Sequence, residues 1–418
     1  MTPPRVLFLA HGHPALVPGG TEILAHDLFS AWKQAGHPGL FVGCVTPAQR
    51  DARQAGIFQA VGPSADEMLV HVAGFDPFLF AQTEPASFVQ GFGELLRRFE
   101  PDVVHLHHLA LLGSETLALI RAVRPTARIV LTLHDYALIC ANEGLMTTTG
   151  GALCDRASPD ACRGCFPAVA PDRFELRRLH LQRLLGLVDA FVAPSRFLRD
   201  RYVAWGLPQS RLHVIGNAVP AATPAAETRT GKRPIVGVFG NQAPHKGVLL
   251  ALEAARSLAD IDDFRLRLHG ETLYREPGFL AALDRAKAEA GPAVQIDGPY
   301  RRDQLGRLMA AVDWVLVPST WWENAPLVIL EAFRHGRPVI AADIGGMAEL
   351  VQHESNGLLF RARDAHDLAR TLRRAVGDER LWPQLAAGIA SPPTPAQLAD
   401  RHAELYAALP TASLARSA

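Results

Sequence analysis

Short apolar runs rich in β-branched residues recur along the chain, with amphipathic segments between them. Such runs predict buried strands, and their alternation with helices is typical of a parallel α/β sheet. In the first half of the chain, the predicted strands are 5–10, 40–44, 103–108, 129–133, 190–195 and 212–217. In the second half, they are 234–239, 264–269, 294–296 and 314–319.

A break in this pattern divides the chain. The segment 219–233 has few bulky apolar residues and is rich in Ala, Pro and Thr, which is typical of an interdomain linker. The 418 residues are also too many for a single hydrophobic core. We therefore predict an N-terminal domain at 1–219, a linker at 220–233 and a C-terminal domain at 234–390, followed by a last segment at 391–418.

One predicted junction between a strand and a helix carries two acidic residues. The apolar run 314–319 leads into a turn, and 326–334 has the pattern of a helix with a proline near its first turn. Backbone N–H groups at 324–327 would then lack partners at the positive helix end, which suits an anionic phosphate group. Glu323 precedes this helix and Glu331 lies a little over two turns later, so the carboxylates can share a face. An ordinary junction with solvated acids is the alternative.

The spacing of Glu323 and Glu331 resembles the Glu-x7-Glu donor-site motif of the retaining glycosyltransferases of family 4, which have the GT-B fold. Further motifs of that family follow in its usual order at 336–341, 345–349 and 356–360. The resemblance implies an α/β protein of the GT-B fold, with two Rossmann-like α/β/α domains facing across a cleft. The first domain would bind the acceptor, the second would bind the nucleotide sugar, and a helix within 391–418 would cross back to the first.

The same resemblance implies roles for individual residues of the second domain. Glu331 is expected to hold the ribose hydroxyls, Glu323 to contact the sugar and the reaction centre, and Lys246 to meet the diphosphate. Asn241 stands where the family has an arginine, so a hydrogen bond from Asn241 or a charge at 301–302 would replace that cation. The other donor-binding residues implied by the resemblance are Gly19, Gly20, Pro299, Tyr300, Asn324, Ala325, Pro326 and Leu327.

Polar residues also follow predicted strands of the first domain, at the strand ends where ligands gather in open α/β sheets. The resemblance implies that His107 is the active-site histidine near the transferred sugar and the acceptor, with His134 and Asp135 lining the same cleft. A structural role is the alternative for His107. Gly19 and Gly20, between a strand and a helix, would let the backbone approach a ligand closely, although a plain turn has the same pattern.

Four of the five cysteines lie within 140–171, which we call the cysteine loop. They are Cys140, Cys154, Cys162 and Cys165. Four thiolates that include a Cys-x2-Cys pair suit a tetrahedral structural zinc site. Free thiols and disulfides remain open, because the first spacing is too wide for a recognised zinc ribbon. The stretch 147–171 is rich in Gly, Ala and Pro and is expected to be irregular.

Composition and charge narrow the range of partners. Lys plus Arg and Asp plus Glu both number 42, so the formal net charge is zero, whereas a nucleic-acid-binding protein normally has a basic excess. No apolar run reaches the ~18–20 residues of a membrane span. The first apolar run is too short for a secretory signal, and the cysteine pattern favours a reducing compartment. We therefore predict a cytoplasmic protein that binds no nucleic acid.

The predicted helix 173–188 combines an apolar stripe with four arginines. We favour a helix that faces the core and has a solvated basic face. The alternative is peripheral contact with an anionic membrane surface, at the inner face of the membrane, which would suit a lipid-linked acceptor. The sequence leaves the oligomeric state open.

The resemblance implies a retaining glycosyltransferase that moves a sugar from a UDP- or GDP-sugar to an acceptor hydroxyl, with a role in polysaccharide biosynthesis. The acceptor would be a glycan, a lipid-linked sugar or a small molecule, and no cofactor or divalent metal would be required. Two other classes remain open: an epimerase or phosphorylase of the same fold, and a non-catalytic sugar-nucleotide-binding protein. The presence of Glu323, Glu331 and Lys246 favours an enzyme over a non-catalytic binding protein.

Overall fold

The structure is a computed structural model that describes residues 3–49, 56–62, 64–222, 234–261 and 264–410. The chain forms two compact units. Unit 1 comprises Met1–Asn217 together with Pro395–Ala418, and unit 2 comprises Ala218–Thr394. The predicted linker lies outside the described residues from position 223 to position 233.

Strands and helices alternate along unit 1. Its strands are β1 (Val6–Ala10), β2 (Gly39–Val45), β3 (Phe58–Ala60), β4 (Glu67–His71), β5 (Phe75–Asp76), β6 (Ala81–Gln82), β7 (Val103–Leu106), β8 (Arg128–Thr132), β9 (Ala190–Ala193) and β10 (Leu212–Val214). Its helices before unit 2 are α1 (Gly20–Gln34), α2 (Ala86–Phe99), α3 (Thr116–Val123), α4 (Pro159–Cys165), α5 (Pro171–Leu185) and α6 (Arg196–Trp205).

Eight of these strands form one sheet in the order β10-β9-β8-β7-β1-β2-β4-β3. Its neighbouring strands run parallel, apart from the antiparallel pair β3 and β4. The chain builds outwards from β1 through β2 and β4, then returns to place β7 on the other side of β1. Ligand sites in open α/β sheets lie beyond the carboxyl ends of strands at such a reversal.

The core of unit 1 centres on β1, whose five residues are all buried. The Phe8 ring packs edge-on against Phe29 at 5.8 Å and Trp32 at 6.4 Å, both on α1. Because helices cover the faces of a parallel sheet, its strands are apolar on both sides. That is why β1 could be predicted from a continuous apolar run.

Unit 2 repeats this plan on a smaller scale. Its strands are β11 (Ile235–Phe239), β12 (Arg265–His269), β13 (Val294–Gly298), β14 (Trp314–Val317), β15 (Val339–Ala342) and β16 (Gly357–Phe360). Its helices are α7 (Val248–Arg256), α8 (Pro277–Glu289), α9 (Leu305–Ala310), α10 (Leu327–Arg334), α11 (Met347–Leu350), α12 (Ala365–Gly377) and α13 (Leu381–Ala387). The sheet order is β13-β12-β11-β14-β15-β16, all parallel. Strand order reverses between β11 and β14.

The last helix, α14 (Pro395–Ala408), belongs to unit 1. Its Tyr406 is fully buried and lies edge-on to Trp32 of α1, with ring centroids 5.6 Å apart. The Tyr406 hydroxyl also lies 2.7 Å from Nδ1 of His105 on β7. The chain therefore returns to pack on its first helix and its central sheet.

The α/β class predicted from the sequence is confirmed, but two local expectations are wrong. The cysteine loop contains the helix α4, so it is not irregular throughout. The four arginines of the predicted basic helix do not share a solvated face, because Arg177 is 3% exposed. Its guanidinium is turned inwards, where it binds backbone carbonyl oxygens. Among the described residues, no helix has the length and apolar character needed to cross a membrane.

Candidate functional site

Two loops lie together where strand order reverses in unit 2. The loop 240–247 follows β11, and the loop 318–326 follows β14. They are joined through the backbone, because the N–H of Thr320 donates to the carbonyl oxygen of His245 at 2.8 Å. This junction is the place at which a ligand is expected in an open α/β sheet.

A glycine allows this close approach. Gly247 has a φ of 72°, and a Cβ atom built there would lie 1.9 Å from the carbonyl oxygen of Pro318. A side chain at position 247 would therefore strain the backbone and force the two loops apart. Glycine here keeps the preceding residue, Lys246, opposite the loop that follows β14.

Lys246 and Glu323 form the centre of this site. The Lys246 Nζ atom lies 2.7 Å from Oε1 of Glu323, and the Ser319 hydroxyl donates to the same oxygen at 2.8 Å. Burial alone would raise the pKa of Glu323, which is 5% exposed, but the lysine charge and these hydrogen bonds lower it below its ordinary value. The Lys246 Nζ also lies 5.2 Å from the centre of the Trp321 ring. The site thus holds an ionised carboxylate beside a half-exposed cation.

The helix after this turn begins one residue later than predicted. Pro326 is the N-cap, and α10 starts at Leu327. Because proline has no N–H, only three of the four residues at 324–327 can donate from their backbones. Asn324 and Ala325 are both buried, with exposures of 6% and 7%. The positive end of α10 lies behind this short turn.

The motif at 345–349 supports the turn from behind. The Gly346 N–H donates to the carbonyl oxygen of Glu323 at 2.6 Å. A Cβ atom at position 346 would lie only 1.4 Å from the carbonyl oxygen of Asn324. The glycine therefore permits a backbone contact that fixes the position of Glu323.

Glu331 has different surroundings from Glu323. It lies on α10 near Tyr300, whose pKa is raised mainly by burial and further by the negative charge of Glu331. Tyr300 also packs edge-on against Phe239 at 6.0 Å, and the neighbouring Pro299 is exposed. The structure thus brings Glu331 and Tyr300 together, while Glu323 pairs with Lys246.

Asn241, at the position where a second cation was expected, forms a local hydrogen bond. The Asn241 Oδ1 atom accepts from the backbone N–H of Leu273 at 3.0 Å. Arg301 forms two hydrogen bonds with Asp303, at 3.0 and 2.6 Å, and its side chain is 73% exposed. Arg301 is therefore engaged in a surface ion pair in this structure.

A second group of polar residues lies at the reversal point of unit 1, on the loops after β1, β7 and β8. His107 is 1% exposed, and its Nδ1 lies 3.1 Å from Nε2 of His134. Burial lowers the pKa of His107 well below its ordinary value and lowers that of His134 to about 3. The Nε2 atom of His107 is buried and has no hydrogen-bond partner within the described part of the chain. Both imidazoles are therefore neutral near pH 7.

The adjacent histidine is charged more readily. The His108 Nε2 lies 3.1 Å from Oδ2 of Asp135. Burial lowers the pKa of His108, but the Asp135 carboxylate outweighs it and raises that pKa above the ordinary value. The carbonyl oxygen of Asp135 accepts from the Tyr202 hydroxyl at 2.9 Å, and its Oδ1 accepts from Ala137 N–H at 2.8 Å. These contacts hold Asp135 in a fixed orientation.

The glycine loop contributes an acidic residue that was not selected from the sequence. Gly20 is the first residue of α1, with Gly19 before it, and Glu22 lies in the first turn. The Glu22 Oε1 is 2.9 Å from Nε2 of His11, whose ring centre is 4.6 Å from that of His108. Glu22 belongs to a Gly-Gly-x-Glu pattern in the sequence. Its partner His11 follows β1, so local spacing could not predict the contact between them.

Three further side chains of the kinds that bind metal ions lie together, one of them on α1. Their atoms, from His13, His26 and Glu67, lie within 4.8 Å of one another. Both imidazole Nε2 atoms contact one carboxylate oxygen of Glu67, at 3.1 and 2.9 Å. The Ala15 N–H donates to Nδ1 of His13, so the ring proton belongs on Nε2 and points to Glu67. In this geometry two histidines share one carboxylate oxygen.

The four cysteines of the cysteine loop that were predicted as ligands are partly buried and form no disulfide within the part of the chain that the structure describes. Within the described residues, no three of their sulfur atoms lie within 4.8 Å of one another. These four side chains therefore do not form a closed tetrahedral site.

Two family models match the chain in succession. A model described as Glycosyltransferase Family 4 matches residues 18–223, and a model described as Glycosyl transferases group 1 matches residues 233–378. Together they span most of the chain, including His107, His134, Lys246 and Glu323.

Curated relatives align over part of their length. A GDP-mannose-dependent alpha-mannosyltransferase of Mycobacterium tuberculosis is 29% identical over 274 residues, which cover 63% of this chain and 61% of the relative. An exopolysaccharide phosphotransferase of Streptomyces coelicolor is 32% identical over 203 residues, which cover 46% of this chain and 20% of the relative. The chain thus spans less than two thirds of the length of these relatives.

A solved structure aligns over nearly the whole chain. The Anabaena protein HepE in complex with UDP has a TM-score of 0.71 at 18% identity, covering 97% of this chain and 100% of that one. This likeness identifies the fold as GT-B, in agreement with the two parallel sheets.

Proposed function

Because the chain belongs to glycosyltransferase family 4, we propose that it transfers a sugar from a nucleotide-diphosphate sugar to an acceptor hydroxyl, with retention of anomeric configuration. The observation that carries this proposal is the contact between Lys246 and buried Glu323 at the strand ends of unit 2. A cation and an oriented carboxylate lie together there in front of a helix N-terminus, and the cation and the helix end would stabilise the charge of a diphosphate.

Unit 2 supplies the proposed donor site. As the bond to the sugar breaks, negative charge develops on the diphosphate. Lys246 and the backbone N–H groups at 324–327 would stabilise this charge without reorganisation. Glu331 would hold the ribose hydroxyls beside Tyr300, and the backbone at Pro299 would contact the base. The related mannosyltransferase is named for GDP-mannose and the HepE complex contains UDP, so the proposed donor is a GDP- or UDP-sugar.

Unit 1 supplies the proposed acceptor site. His107 is neutral because of its burial, so it would act through hydrogen bonding with the acceptor or the transferred sugar and not as a fixed cation. His134 and Asp135 would line the same region, with the glycine loop Gly19–Gly20 facing the donor diphosphate. The proposed acceptors are a glycan, a lipid-linked sugar or a small molecule, within polysaccharide biosynthesis.

The proposed reaction needs no external base. The bond between the anomeric carbon and the phosphate oxygen breaks, and the acceptor oxygen bonds to that carbon on the same face. The acceptor proton passes to the departing phosphate oxygen. Glu323, held by Lys246 and Ser319, would orient the sugar hydroxyls during this step. No divalent metal takes part, and the proposed location is the cytoplasm, with peripheral membrane contact for a lipid-linked acceptor.

A donor panel tests this proposal. We expect one UDP- or GDP-sugar to raise the melting temperature, because a ligand that binds only the folded state stabilises it. With an acceptor, NMR of the product should show the anomeric configuration of the donor, and EDTA should leave the rate unchanged. An inverted product or loss of activity in EDTA would refute the mechanism. Conversion of the donor without any acceptor would instead indicate an epimerase.

A further inference from the structure

A cavity of ≈ 470 Å³ lies within unit 1. Its walls are the first two turns of α5, the second half of α6 and the segment 155–159 of the cysteine loop. None of the side chains proposed for the donor or the acceptor site lines it. Small-molecule sites in proteins have volumes of about 300–1,000 Å³, so this cavity has the size of a binding site that the proposed reaction does not use.

Two helices each present one face to this cavity. On α5, the lining residues Phe174, Arg177 and Arg178 are spaced by three and four positions. On α6, the lining residues Arg201 and Trp205 are four positions apart. Residues at these spacings lie on the same side of a helix. Each helix therefore contributes both an aromatic side chain and an arginine to the wall.

Hydrogen bonds within unit 1 hold the walls together. The Arg178 Nη1 atom donates to Oε1 of Gln182 at 2.8 Å, and the Gln182 Nε2 atom donates to the carbonyl oxygen of Trp205 at 2.6 Å. These two contacts join α5 to α6. The Arg201 guanidinium donates to the carbonyl oxygen of Asp155, which joins α6 to the cysteine loop. The shape of the cavity is thus fixed by the chain's own contacts.

The lining of the cavity has an excess of positive charge. Four arginines and two acidic residues line it, and four minus two gives a formal charge of +2. The Asp155 side chain is 81% exposed, whereas that of its partner Arg201 is 19% exposed. Water and salt screen an exposed charge more strongly than a buried one. The interior of the cavity is therefore more favourable for an anion than for a cation.

Arg177 is the buried member of this set, with an exposure of 3%. Within the described residues, its guanidinium donates only to carbonyl oxygens, and those of Phe78, Ala137 and Leu138 are 2.7 Å away. Burial lowers the pKa of Arg177 to about 10, which leaves it charged near pH 7. A buried cation that no carboxylate neutralises is costly. An anion in the cavity would reduce this cost.

We propose that this cavity binds a small anionic sugar. Its carboxylate or phosphate group would meet the exposed Arg156, because a guanidinium matches both kinds of anion. The charges of Arg177 and Arg201 would stabilise the anion further. The sugar ring would lie against Trp205, since an aromatic side chain offers an apolar face together with a polar N–H. Binding would need no nucleotide sugar, because the proposed donor residues lie in unit 2.

Protection of one cysteine tests the proposal in the full chain. Cys162 lines the cavity, whereas Cys165 of the same helix does not. The reduced protein is alkylated with iodoacetamide, and each cysteine is followed by peptide mass spectrometry, in glucuronate, glucose 6-phosphate, inorganic phosphate or glucose at equal ionic strength. We expect glucuronate or glucose 6-phosphate to slow alkylation of Cys162 about tenfold once it reaches roughly ten times its Kd. Alkylation of Cys165 should not change.

The choice between glucuronate and glucose 6-phosphate shows whether the site recognises a carboxylate or a phosphate. Arg156→Gln should raise the concentration needed for half-protection about tenfold, as expected for loss of one charge-assisted hydrogen bond. Arg98→Gln is the matched control, because Arg98 is exposed and pairs with Glu94 on α2, and it should leave protection unchanged.

Several results would overturn this proposal. They are no protection by either anionic sugar, equal protection by glucose or by inorganic phosphate, equal slowing at Cys165, and unchanged protection in Arg156→Gln. The wild-type measurement decides the question even if that variant does not fold. Because no sugar transfer is measured, each result is independent of the proposed function.

Discussion

Lys246 is the residue on which the proposed donor chemistry depends most directly. Its charge is paired with Glu323 at 2.7 Å. Since its side chain is still 37% exposed, the same ammonium group is accessible to a diphosphate. Asn241, which stands where the family has an arginine, is bound to Leu273 N–H. The site therefore relies on Lys246 for positive side-chain charge in the loop 240–247.

Replacement of Lys246 by alanine should lower turnover strongly. Loss of one preorganised electrostatic contact to a developing anion typically costs about 10²–10³-fold in kcat. Steady-state kinetics with the donor found in the panel would measure this. Lys33→Ala is the matched control, since Lys33 forms a 2.9 Å ion pair with Asp66 outside both sites, and it should leave kcat unchanged. Near-normal activity of Lys246→Ala would show that another cation carries the charge.

Replacement of His107 by alanine should abolish transfer but spare nucleotide binding. His107 lies in unit 1, whereas the proposed nucleotide contacts lie in unit 2. Calorimetry with UDP and GDP, together with an activity assay, separates the two effects. An equal loss of binding and activity would mean that His107 has a folding role instead.

The buried neutral histidines should also make the protein less stable in mild acid. Burial lowers the pKa of His134 to about 3, whereas the unfolded side chain titrates near about 6.5. As the pH falls below that value, the unfolded chain binds protons that the folded chain excludes, so the free energy of unfolding decreases. His108 acts in the opposite direction, because the stability from its raised pKa is lost only as the pH rises through it.

We therefore expect urea unfolding to show a decrease in stability between about pH 6.5 and 4.5. His134→Gln removes one of the groups responsible and should flatten this decrease. An identical pH dependence in wild type and variant would contradict the assignment of His134 as a buried neutral imidazole.

For single residues, the sequence supplied candidate site residues, but it did not predict which side chains would contact one another. His107, Glu323 and Lys246 were selected by resemblance to family motifs, and their roles stay predictions. The pair of His11 and Glu22 was not selected, because His11 follows β1 whereas Glu22 lies on α1, and only the fold brings the two side chains together. The burial of Arg177 was missed for a similar reason: its acceptors are carbonyl oxygens of distant residues, which leave no side-chain pattern in the sequence.

Among the elements, the strand-to-helix junction from β14 to α10 shows what local pattern can predict. The apolar run and the proline gave the strand, the turn and the helix, with an error of one residue at the helix start. The role of Gly346 could not be read locally, because it depends on a contact with a backbone that lies more than 20 residues away. The periodicity of apolar residues predicts helices and strands. It does not predict where two segments of backbone will come close together in the folded chain.

Gly346→Ala tests this contact. The added methyl group would overlap the Asn324 carbonyl oxygen and displace the turn that holds Glu323. Overpacking of this kind typically costs about 1–3 kcal/mol of stability. Urea unfolding and calorimetric binding of UDP and GDP should both show a loss.

Gly377→Ala provides the control for this change. Gly377 ends α12, and a Cβ atom there meets nothing within 4 Å. Alanine at that position should leave binding unchanged and stability equal or slightly higher. Equal effects of the two substitutions would refute the proposed role of Gly346.

For the whole molecule, the strands of the main sheets were largely predictable and the small elements were not. The strands β1 and β14 are fully buried, continuous apolar runs, as expected for parallel sheets covered on both faces. In β7 the apolar run contains His105, and in β11 it contains Gly237. Six strands escaped prediction: β3, β4, β5, β6, β15 and β16. Of these, β3, β5 and β6 have two or three residues and mixed exposure. Short, half-exposed strands leave too little periodicity to detect.

Tyr406→Phe should weaken unit 1 through its last helix. The change removes the hydroxyl that lies 2.7 Å from Nδ1 of His105 and leaves that buried ring nitrogen without its partner. The expected cost is about 1–3 kcal/mol in the free energy of unfolding. Tyr274→Phe, at a residue that is 40% exposed, is the matched control and should be neutral. If Tyr406→Phe is neutral as well, the hydroxyl contributes nothing to the anchoring of α14.

The return of α14 to unit 1 also has a consequence for synthesis of the protein. Unit 2 is continuous in sequence, whereas unit 1 lacks α14 until the segment after unit 2 has been synthesised. Domains generally fold as units during translation, with the first-made one folding first. Here the order of completion is reversed, because α1 and its Trp32 stay uncovered on one side until the last helix emerges. A chain released before that point would expose this apolar surface, which would mark it for chaperones and proteases.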